Sequence, residues 1–366
     1  MSPLEVIIQA EIRQKGSMAF ARFMELALYH PEWGYYAKVG SEEKVGKGGD
    51  FVTSVSVGSL FGRLLAYQFV RWWEQKARPC PFYILEFGGL NGQLAYDILS
   101  ALEHDFPHCN GKINYILFEP LPNLAAAQKN KLSGFSCVQW VRSMDEMESF
   151  QGIVLGNELL DAFPFHRLEH IDDQNKKYSK WVECCVDIKE DSLIWTRQPC
   201  SPSLSSGLPA DAKGKVEVCL NAISWLEQIS SVFKHGYFLF FDYGWTDEEY
   251  FQVERPEGTL RGYSNHRQVD HILKHPGDQD ITAHVRWSPF ISKAAQLGFQ
   301  VDEFIQQSRW LTHLVLQNDL EFLPHEARQF NTLTHPDMMG TIYRTLVLKK
   351  KQEGTGKGGR SLVNIS

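Results

Sequence analysis

Two short segments place polar side chains where chemistry could use them. The first is EFGGLNG, Glu86–Gly92, at the end of the apolar run FYILEF (82–87) and just before a helical run that begins at Leu94. Glycines at such a point, here Gly88 and Gly92, let the backbone approach a ligand lying over the strand's C-terminal edge. Glu86, directly ahead of them, suits a ligand that carries an ammonium group. The second segment is GNELLDAFP (156–164), which follows the apolar GIVLG (152–156). It puts Asn157, Glu158 and Asp161 on one loop, and two carboxylates that close in sequence can converge on one cation and hold a guanidinium. Between the two, Glu119 closes the run INYILF (113–118), where an acid can accept hydrogen bonds from both hydroxyls of a ribose. Each feature also has a plainer reading. EFGGLNG can be a tight strand–helix turn and Glu119 a solvated strand end. Asn157 can be a helix cap, with the acids behind it favoured by the helix dipole. Taken together, two glycines, an acid in the first turn and an acid at the second strand's tip favour S-adenosylmethionine over NAD. The dinucleotide pattern G-x-G-x-x-G fails, because Leu90 holds the middle glycine position.

Other motifs fall away. The glycine-rich stretch 40–49 is not a phosphate loop: Ser41 stands at its first glycine position, and Gly48 follows Lys47 where Ser or Thr is needed. No G-x-S-x-G elbow occurs, so a serine hydrolase has no support. His271 and His275 lie four apart without an H-E-x-x-H pattern, and no metal site is expected.

The elements that must position these residues are legible as periodicities. Phe20, Phe23, Met24, Ala27 and Leu28 recur at helical spacing until His30-Pro31, and a second helix runs from Leu60 to Trp73, so the first 75 residues read as helix, loop, helix. From Pro81 short apolar runs alternate with helices: strands at 82–87, 113–118, FSCVQWV and 152–156, helices at Leu94–Leu102 and Leu121–Leu132. That alternation predicts a parallel sheet with right-handed crossovers. PFHRLEHI, KYSKWVECCVDI and SLIWTRQ, within 164–200, predict three antiparallel strands of an insertion, and Ser201–Lys215 reads as a loop. A helix at Leu220–Phe233 leads into the buried strand GYFLFFDYG. Residues 244–286 lack clear periodicity but are dense in His, Asp, Arg and aromatics, which marks a functional stretch. SPFISKAAQLGF is a helix ending at Gly298, and IYRTLVLKK (342–350) a closing strand.

The 366 residues are 43% hydrophobic and 22% charged, which excludes a disordered chain and leaves ample apolar material for a large core. A net charge of −7 argues against wholesale nucleic-acid coating. Seven cysteines, odd in number and without a C-x-x-C pair, point to a reducing compartment. No apolar run reaches the roughly 18–20 residues of a membrane span, and the N-terminus lacks a secretory core. These features together predict a cytoplasmic protein, and the missing transit segment favours a bacterial one.

The chain resembles the MidA-type family of class I S-adenosylmethionine-dependent methyltransferases. The likeness runs over roughly residues 15–348 and rests on FMELALYHPEWGYY (23–36), GGDFVTSVSVGSLFG (48–62), the turn 86–92, GNELLDAFP (156–164), FDYGW (241–245), EGTLRGYSNHR (257–267) and DQDITAHVRW (278–287). It implies an α/β fold: a seven-stranded, Rossmann-like methyltransferase sheet with an N-terminal helical extension and an antiparallel β insertion. On that plan residues 1–75 are the extension, 76–163 the cofactor-binding half of the core, 164–235 the insertion with its linking helix, 236–350 the second half with a substrate-cleft segment, and 351–366 a disordered tail. The resemblance implies that Gly88, Gly92 and Glu119 contact S-adenosylmethionine and that Asp50, Phe51, Thr53 and Ser54 line the site from the N-terminal side. Asn157, Glu158 and Asp161 would lie near the methyl acceptor, with Asp280, Thr282 and His284 lining the same cleft. Mitochondrial members methylate an arginine on a subunit of respiratory complex I and aid its assembly, and related proteins are often dimeric. The chain departs from the family's E-x-G-x-G-x-G at Leu90 and Asn91, and its early G-P-I reads Gly16-Ser17-Met18. A Cβ at position 90 either crowds the methionine moiety or forces a positive φ.

The leading expectation is therefore methyl transfer to an arginine of a protein acceptor. Glu158 and Asp161 would orient the guanidinium, and one of them, or His284, would take the proton. The insertion 164–200 and the segment 244–287 would form the acceptor cleft. Leu90 motivates a second expectation, a binding or assembly protein on a weakened methyltransferase fold. Methylation of a small molecule is a third, disfavoured by the size of the insertions.

Overall fold

In the computed structural model, residues 1–39, 53–171, 180–209, 212–264 and 267–351 are described. Seven strands form the central sheet: β1 (Phe82–Phe87), β2 (Ile113–Phe118), β3 (Val138–Val141), β4 (Phe150–Asn157), β5 (Phe233–Trp245), β6 (Gln300–Gln306) and β7 (Tyr343–Lys350). Their spatial order is β6-β7-β5-β4-β1-β2-β3. β1 to β5 run parallel to one another, and β7 is antiparallel to both β5 and β6. A two-residue strand, Val285–Arg286, adds in parallel to Gly244 and Trp245 at the end of β5.

The apolar runs form central strands because both of their faces are covered. Alternate residues of β5 show it. Leu239 and Phe241 face a core shared with helices Leu60–Gln75, Gln93–Asp105 and Gln307–Gln317. Phe238 and Phe240 face the opposite core, shared with Leu220–Val232 and Trp287–Gln296. All four are fully buried. Strand order reverses between β1 and β4, since the chain runs outward from β1 to β2 and β3 before returning. That is where open α/β sheets form a crevice beyond the carboxyl ends of their strands. Register sets the three tips side by side: Phe87 pairs with Gly156, and Asn157 with Phe241. Glycine is required on the way: a Cβ on Gly152 would stand 1.9 Å from the Tyr83 carbonyl oxygen, with φ at 149°.

Four segments correct the sequence reading. The first 75 residues contain a further helix, Pro3–Lys15, opened by a reciprocal cap between Ser2 and Glu5. Its buried apolar residues, Leu4, Ile8 and Ile12, form only a narrow stripe, while Val6, Ile7 and Ala10 lie off it and partly or fully exposed. Strand β6 and helices Gln307–Gln317 and Pro324–Thr334 fill the stretch between Gly298 and the closing strand. The predicted loop Ser201–Lys215 holds a short helix, Pro202–Ser205, and ends in a strand, Lys215–Val218. The described residues of 244–286 include a capped helix, Asp247–Phe251, and a three-stranded sheet of Arg261–Ser264, Arg267–Val269 and Asp280–Thr282.

The antiparallel insertion is present as His166–Ile171, Lys180–Lys189 and Ser192–Pro199. Lys215–Val218 extends it on one side, and the N-terminal pair Met18–Ala19 is stitched to Val186 and Cys185. Val186, Phe165 and the N-terminal helices share one apolar cluster. Among the described residues no helix is long and apolar enough to cross a membrane.

Candidate active site

Beyond the carboxyl ends of β1, β4 and β5 lies a cleft of about 1170 Å³. Its first wall is the turn after β1. The backbone takes left-handed φ at Gly88 (70°), Leu90 (43°) and Gly92 (78°). Leu90 therefore adopts the positive φ its position asks of it, and Gly89 accepts the Gly92 N–H at 2.7 Å to close the turn. Asn91 Oδ1 accepts the Gln93 N–H at 3.1 Å and so satisfies an orphan donor of the following helix. Glu86 is buried on the cleft wall, its Oε2 accepting the Tyr115 hydroxyl at 2.7 Å. Burial pushes its pKa up to about 7, against the lowering effect of that phenol.

Glu119 and Gly92 stand behind this wall and do not border the cleft. Glu119 accepts the Leu121 N–H through Oε1 and the Gln128 amide through Oε2, each at 3.0 Å. Burial pushes it up to about 7. Thr53 borders the cleft from the N-terminal side, in a turn closed by hydrogen bonds with Ser56, and Ser54 is fully buried beside it. Asp50 and Phe51, the glycines of 40–49 and the tail from residue 352 lie outside the described residues.

The opposite wall is the loop after β4. Glu158 holds a left-handed φ of 49°, a conformation glutamate rarely adopts, and its N–H donates to the Phe241 carbonyl at 2.8 Å. Its carboxylate receives the Asn157 amide at 3.2 Å, the Tyr343 hydroxyl and the Ser54 backbone N–H. It lies deep below the molecular surface while keeping part of its surface open to the cleft. Burial, then the charge of Asp161, pushes Glu158 up to about 8. Asp161 is buried and accepts the Tyr243 hydroxyl through Oδ2; burial pushes it up to about 6. Its Oδ1 and the Oδ1 of Asn157 are buried acceptors with no partner among the described residues.

Asp242, which the sequence reading passed over, holds this loop in place. Its Oδ2 accepts three successive backbone N–H groups, those of Leu159, Leu160 and Asp161, at 3.1, 2.8 and 3.2 Å. Burial and the charges of Asp161 and Glu158 hold it well above the ordinary aspartate range. The signal was present as an acid interrupting the apolar run GYFLFFDYG. Tyr243 and Tyr343 were also passed over, and nothing local distinguishes them from core tyrosines.

Asp280 and Thr282 arrive from the small sheet, His284 follows two residues on, and all three line the same cleft. Asp280 accepts the Tyr36 hydroxyl at 3.2 Å. The His284 ring stacks on Trp245 at 4.2 Å and packs against Tyr243. Burial, then Arg261 and Arg255, push His284 down to about 4, so it is neutral at pH 7, and its buried Nδ1 has no partner among the described residues. The structure thus brings Glu86, Gly88, Asn157, Glu158, Asp161, His284 and Thr53 to one cleft. The insertion strands of 166–199 contribute no residue to its lining, contrary to expectation, because they pack instead on the N-terminal helices. The segment 244–287 does contribute, through Trp245, Arg261 and Tyr263.

Residues 64–305, well over half of the chain, match the model of the S-adenosyl-L-methionine-dependent methyltransferase family Methyltransf_28. The chain belongs to that family. As one of these methyltransferases it is an enzyme that takes S-adenosylmethionine as methyl donor. Its relatives include the mitochondrial protein arginine methyltransferase NDUFAF7 of Homo sapiens, 24% identical over 395 residues that span 97% of this chain and 85% of the relative. NDUFAF7 of Bos taurus is 26% identical over 388 residues, 95% of this chain and 83% of the relative. Among solved structures, a Burkholderia thailandensis protein crystallised with S-adenosyl-homocysteine is 26% identical and has a TM-score of 0.83, covering 96% of this chain and 92% of that one. The methyltransferase family thus accounts for the sheet order, the glycine turn and the cleft at the strand switch point. The reading as a weakened, non-catalytic member is not favoured.

Proposed function

We propose that this methyltransferase acts on an arginine side chain of a protein acceptor, which enters the cleft between Glu158 and Asp161. The observation that supports it is a cation-shaped deficit. Glu158, Asp161 and Asp242 cluster at one point, no Lys or Arg among the described residues pairs with any of them, and Asp161 Oδ1 and Asn157 Oδ1 are buried acceptors awaiting a donor. A guanidinium offers a planar fork of N–H groups with a delocalised charge, which matches such a set of oxygens. A subunit of a respiratory complex as the acceptor belongs to the same reading, supported by the resemblance of the whole chain.

The residues expected to hold the donor fit it. Glu86 on the wall suits the ammonium of the methionine portion, Gly88 and Gly89 let the backbone of the turn approach the donor beside Leu90 and Asn91, and Glu119, held behind that turn, suits the ribose. When bound, the donor supplies a sulfonium methyl for in-line transfer. What the chain supplies is position and a proton acceptor. Glu158 and Asp161 fix the guanidinium plane and draw its charge toward themselves, which leaves more electron density on the attacking nitrogen. Glu158, with its raised affinity for protons, is the group matched to receive the proton that nitrogen releases. His284, pushed down to about 4, stays neutral and offers a hydrogen bond rather than a base.

Glu158→Gln tests the reading. Turnover is expected to vanish, while S-adenosylmethionine still binds with a dissociation constant of order micromolar, about −8 kcal/mol. Hydrolysis of protein labelled with methyl-tritiated donor should yield methylarginine. Label confined to small molecules or to another amino acid, or an unimpaired Glu158→Gln enzyme, would overturn it.

A further inference from the structure

One side chain behind the cleft joins two parts of the expected donor site, the turn after β1 and Glu119. Gln128 lies on the helix Pro122–Lys131 and is fully buried. Its Nε2 donates to the Leu90 carbonyl at 2.8 Å and to Glu119 Oε2 at 3.0 Å. Its Oε1 accepts the Trp140 indole N–H at 3.1 Å. Gly92 packs on it so closely that a Cβ there would stand 3.4 Å from Gln128 Cγ. The orientation of the amide follows from chemistry: an indole N–H can only donate, so Oε1 must face Trp140 and both Nε2 hydrogens must face the two acceptors. One amide thereby links β3, the turn after β1 and the acid after β2.

Leu90 makes this link consequential. A leucine in the left-handed region is strained where a glycine is not, so the turn needs an outside hold on its backbone. The Leu90 carbonyl is the group that Gln128 grips. Glu119, buried and engaged by the same amide, has its carboxylate plane set by it.

We infer that Gln128 is the positioning residue of the donor site, locking the Leu90 turn and the Glu119 carboxylate into one preformed unit that receives the nucleoside portion of S-adenosylmethionine. The inference rests on the reading of Glu119 as the ribose acid, and the experiment separates the two. Titration calorimetry with S-adenosylmethionine and with adenosine is carried out on the wild type and on Glu119→Ala, Gln128→Leu and the double variant. Each single change is expected to weaken both ligands about tenfold, equivalent to 1.4 kcal/mol, and the double variant to bind no worse than the weaker single, because the two residues act as one unit. Gln128→Leu is close in size and apolar, and thermal melting confirms that it folds. Where it does not, Trp140→Phe, which frees the amide to rotate while keeping an aromatic ring at that place, is expected to weaken adenosine severalfold. Gln128→Glu adds a readout that packing alone does not move: its binding should recover toward acid pH, where the introduced carboxyl, once protonated, can again donate to Glu119. Wild-type affinity in Gln128→Leu, effects that simply add in the double variant, or a pH-independent Gln128→Glu would overturn the inference. Wild-type affinity in Glu119→Ala alone would instead overturn the ribose reading.

Discussion

Glu158 combines a left-handed backbone with a carboxylate buried among other acids, and both features oppose folding. Its pKa is raised above that of an unfolded glutamate, so between about 4.5 and about 8 the folded chain binds a proton that the unfolded chain does not. Stability from this group is therefore present at acid pH and declines as pH rises through that window. Glu158→Gln should raise the melting temperature by several degrees above pH 8 and by little near pH 5, gaining stability as it loses activity. The same titration governs acceptor binding with the opposite sign. Because the carboxylates must be charged to hold a guanidinium, the KM for acceptor should rise as pH falls below about 8 and again below about 6. Leu90 is a second residue in the left-handed region, and its conformation was foreseeable, since a positive φ was one of two outcomes its place in the turn allowed. Leu90→Gly relieves about 1 kcal/mol of backbone strain and adds a similar amount of chain freedom to the unfolded state. Melting temperature and donor affinity should both stay close to wild type, within about threefold for the latter; a large gain in affinity would show that the leucine obstructs the site. Asn157, Glu158 and Asp161 were legible because polar residues directly after an apolar strand are conspicuous. Tyr243 and Tyr343 were not, because a tyrosine that donates to a carboxylate looks in sequence like one that fills a core.

At the scale of elements, the loop after β4 depends on β5. Asp242 satisfies three consecutive N–H groups at once, and its removal leaves all three buried without partners. Asp242→Ala should lower stability by about 3 kcal/mol or more, read as a lower denaturant midpoint, and abolish activity without touching the acceptor. Gly152 is the corresponding requirement within the sheet: Gly152→Ala drives a methyl group into the Tyr83 carbonyl and should yield little folded protein. Strands β1, β2, β4 and β5 were readable because each is an apolar run closed by glycine or an acid. β6, reading QVDEFIQ, escaped because it sits at the sheet edge, pairs with β7 alone and has little need to be apolar. The helix Pro3–Lys15 escaped for a related reason, since buried apolar residues only at Leu4, Ile8 and Ile12 are a thin signal against the polar or partly exposed remainder. Its cap, Ser2 with Glu5, was the better clue.

For the whole molecule, the cleft gathers residues from widely separated parts of the chain: Tyr36 bonds to Asp280 and Tyr343 to Glu158. Pairing of that kind is a property of topology and cannot be read from local spacing, which is why the place of the described insertion strands, away from the cleft lining, was not legible. An acidic protein with carboxylates at the bottom of its cleft attracts cationic acceptors over distance. Raising salt from low ionic strength toward 1 M, where the screening length is about 3 Å, should raise the acceptor KM severalfold while kcat is held.

The placement of β7 bears on how the protein is made. It is the last strand of the described residues, yet it inserts between β5 and β6 and carries the tyrosine that bonds to Glu158. A nascent chain still attached to the ribosome before Tyr343 emerges presents β5 as an open edge and Glu158 without its phenol. The methyltransferase is thus assembled from its glycine turn onward but switched on only once β7 has emerged, and until then its half-built sheet is a surface that a chaperone would be expected to guard.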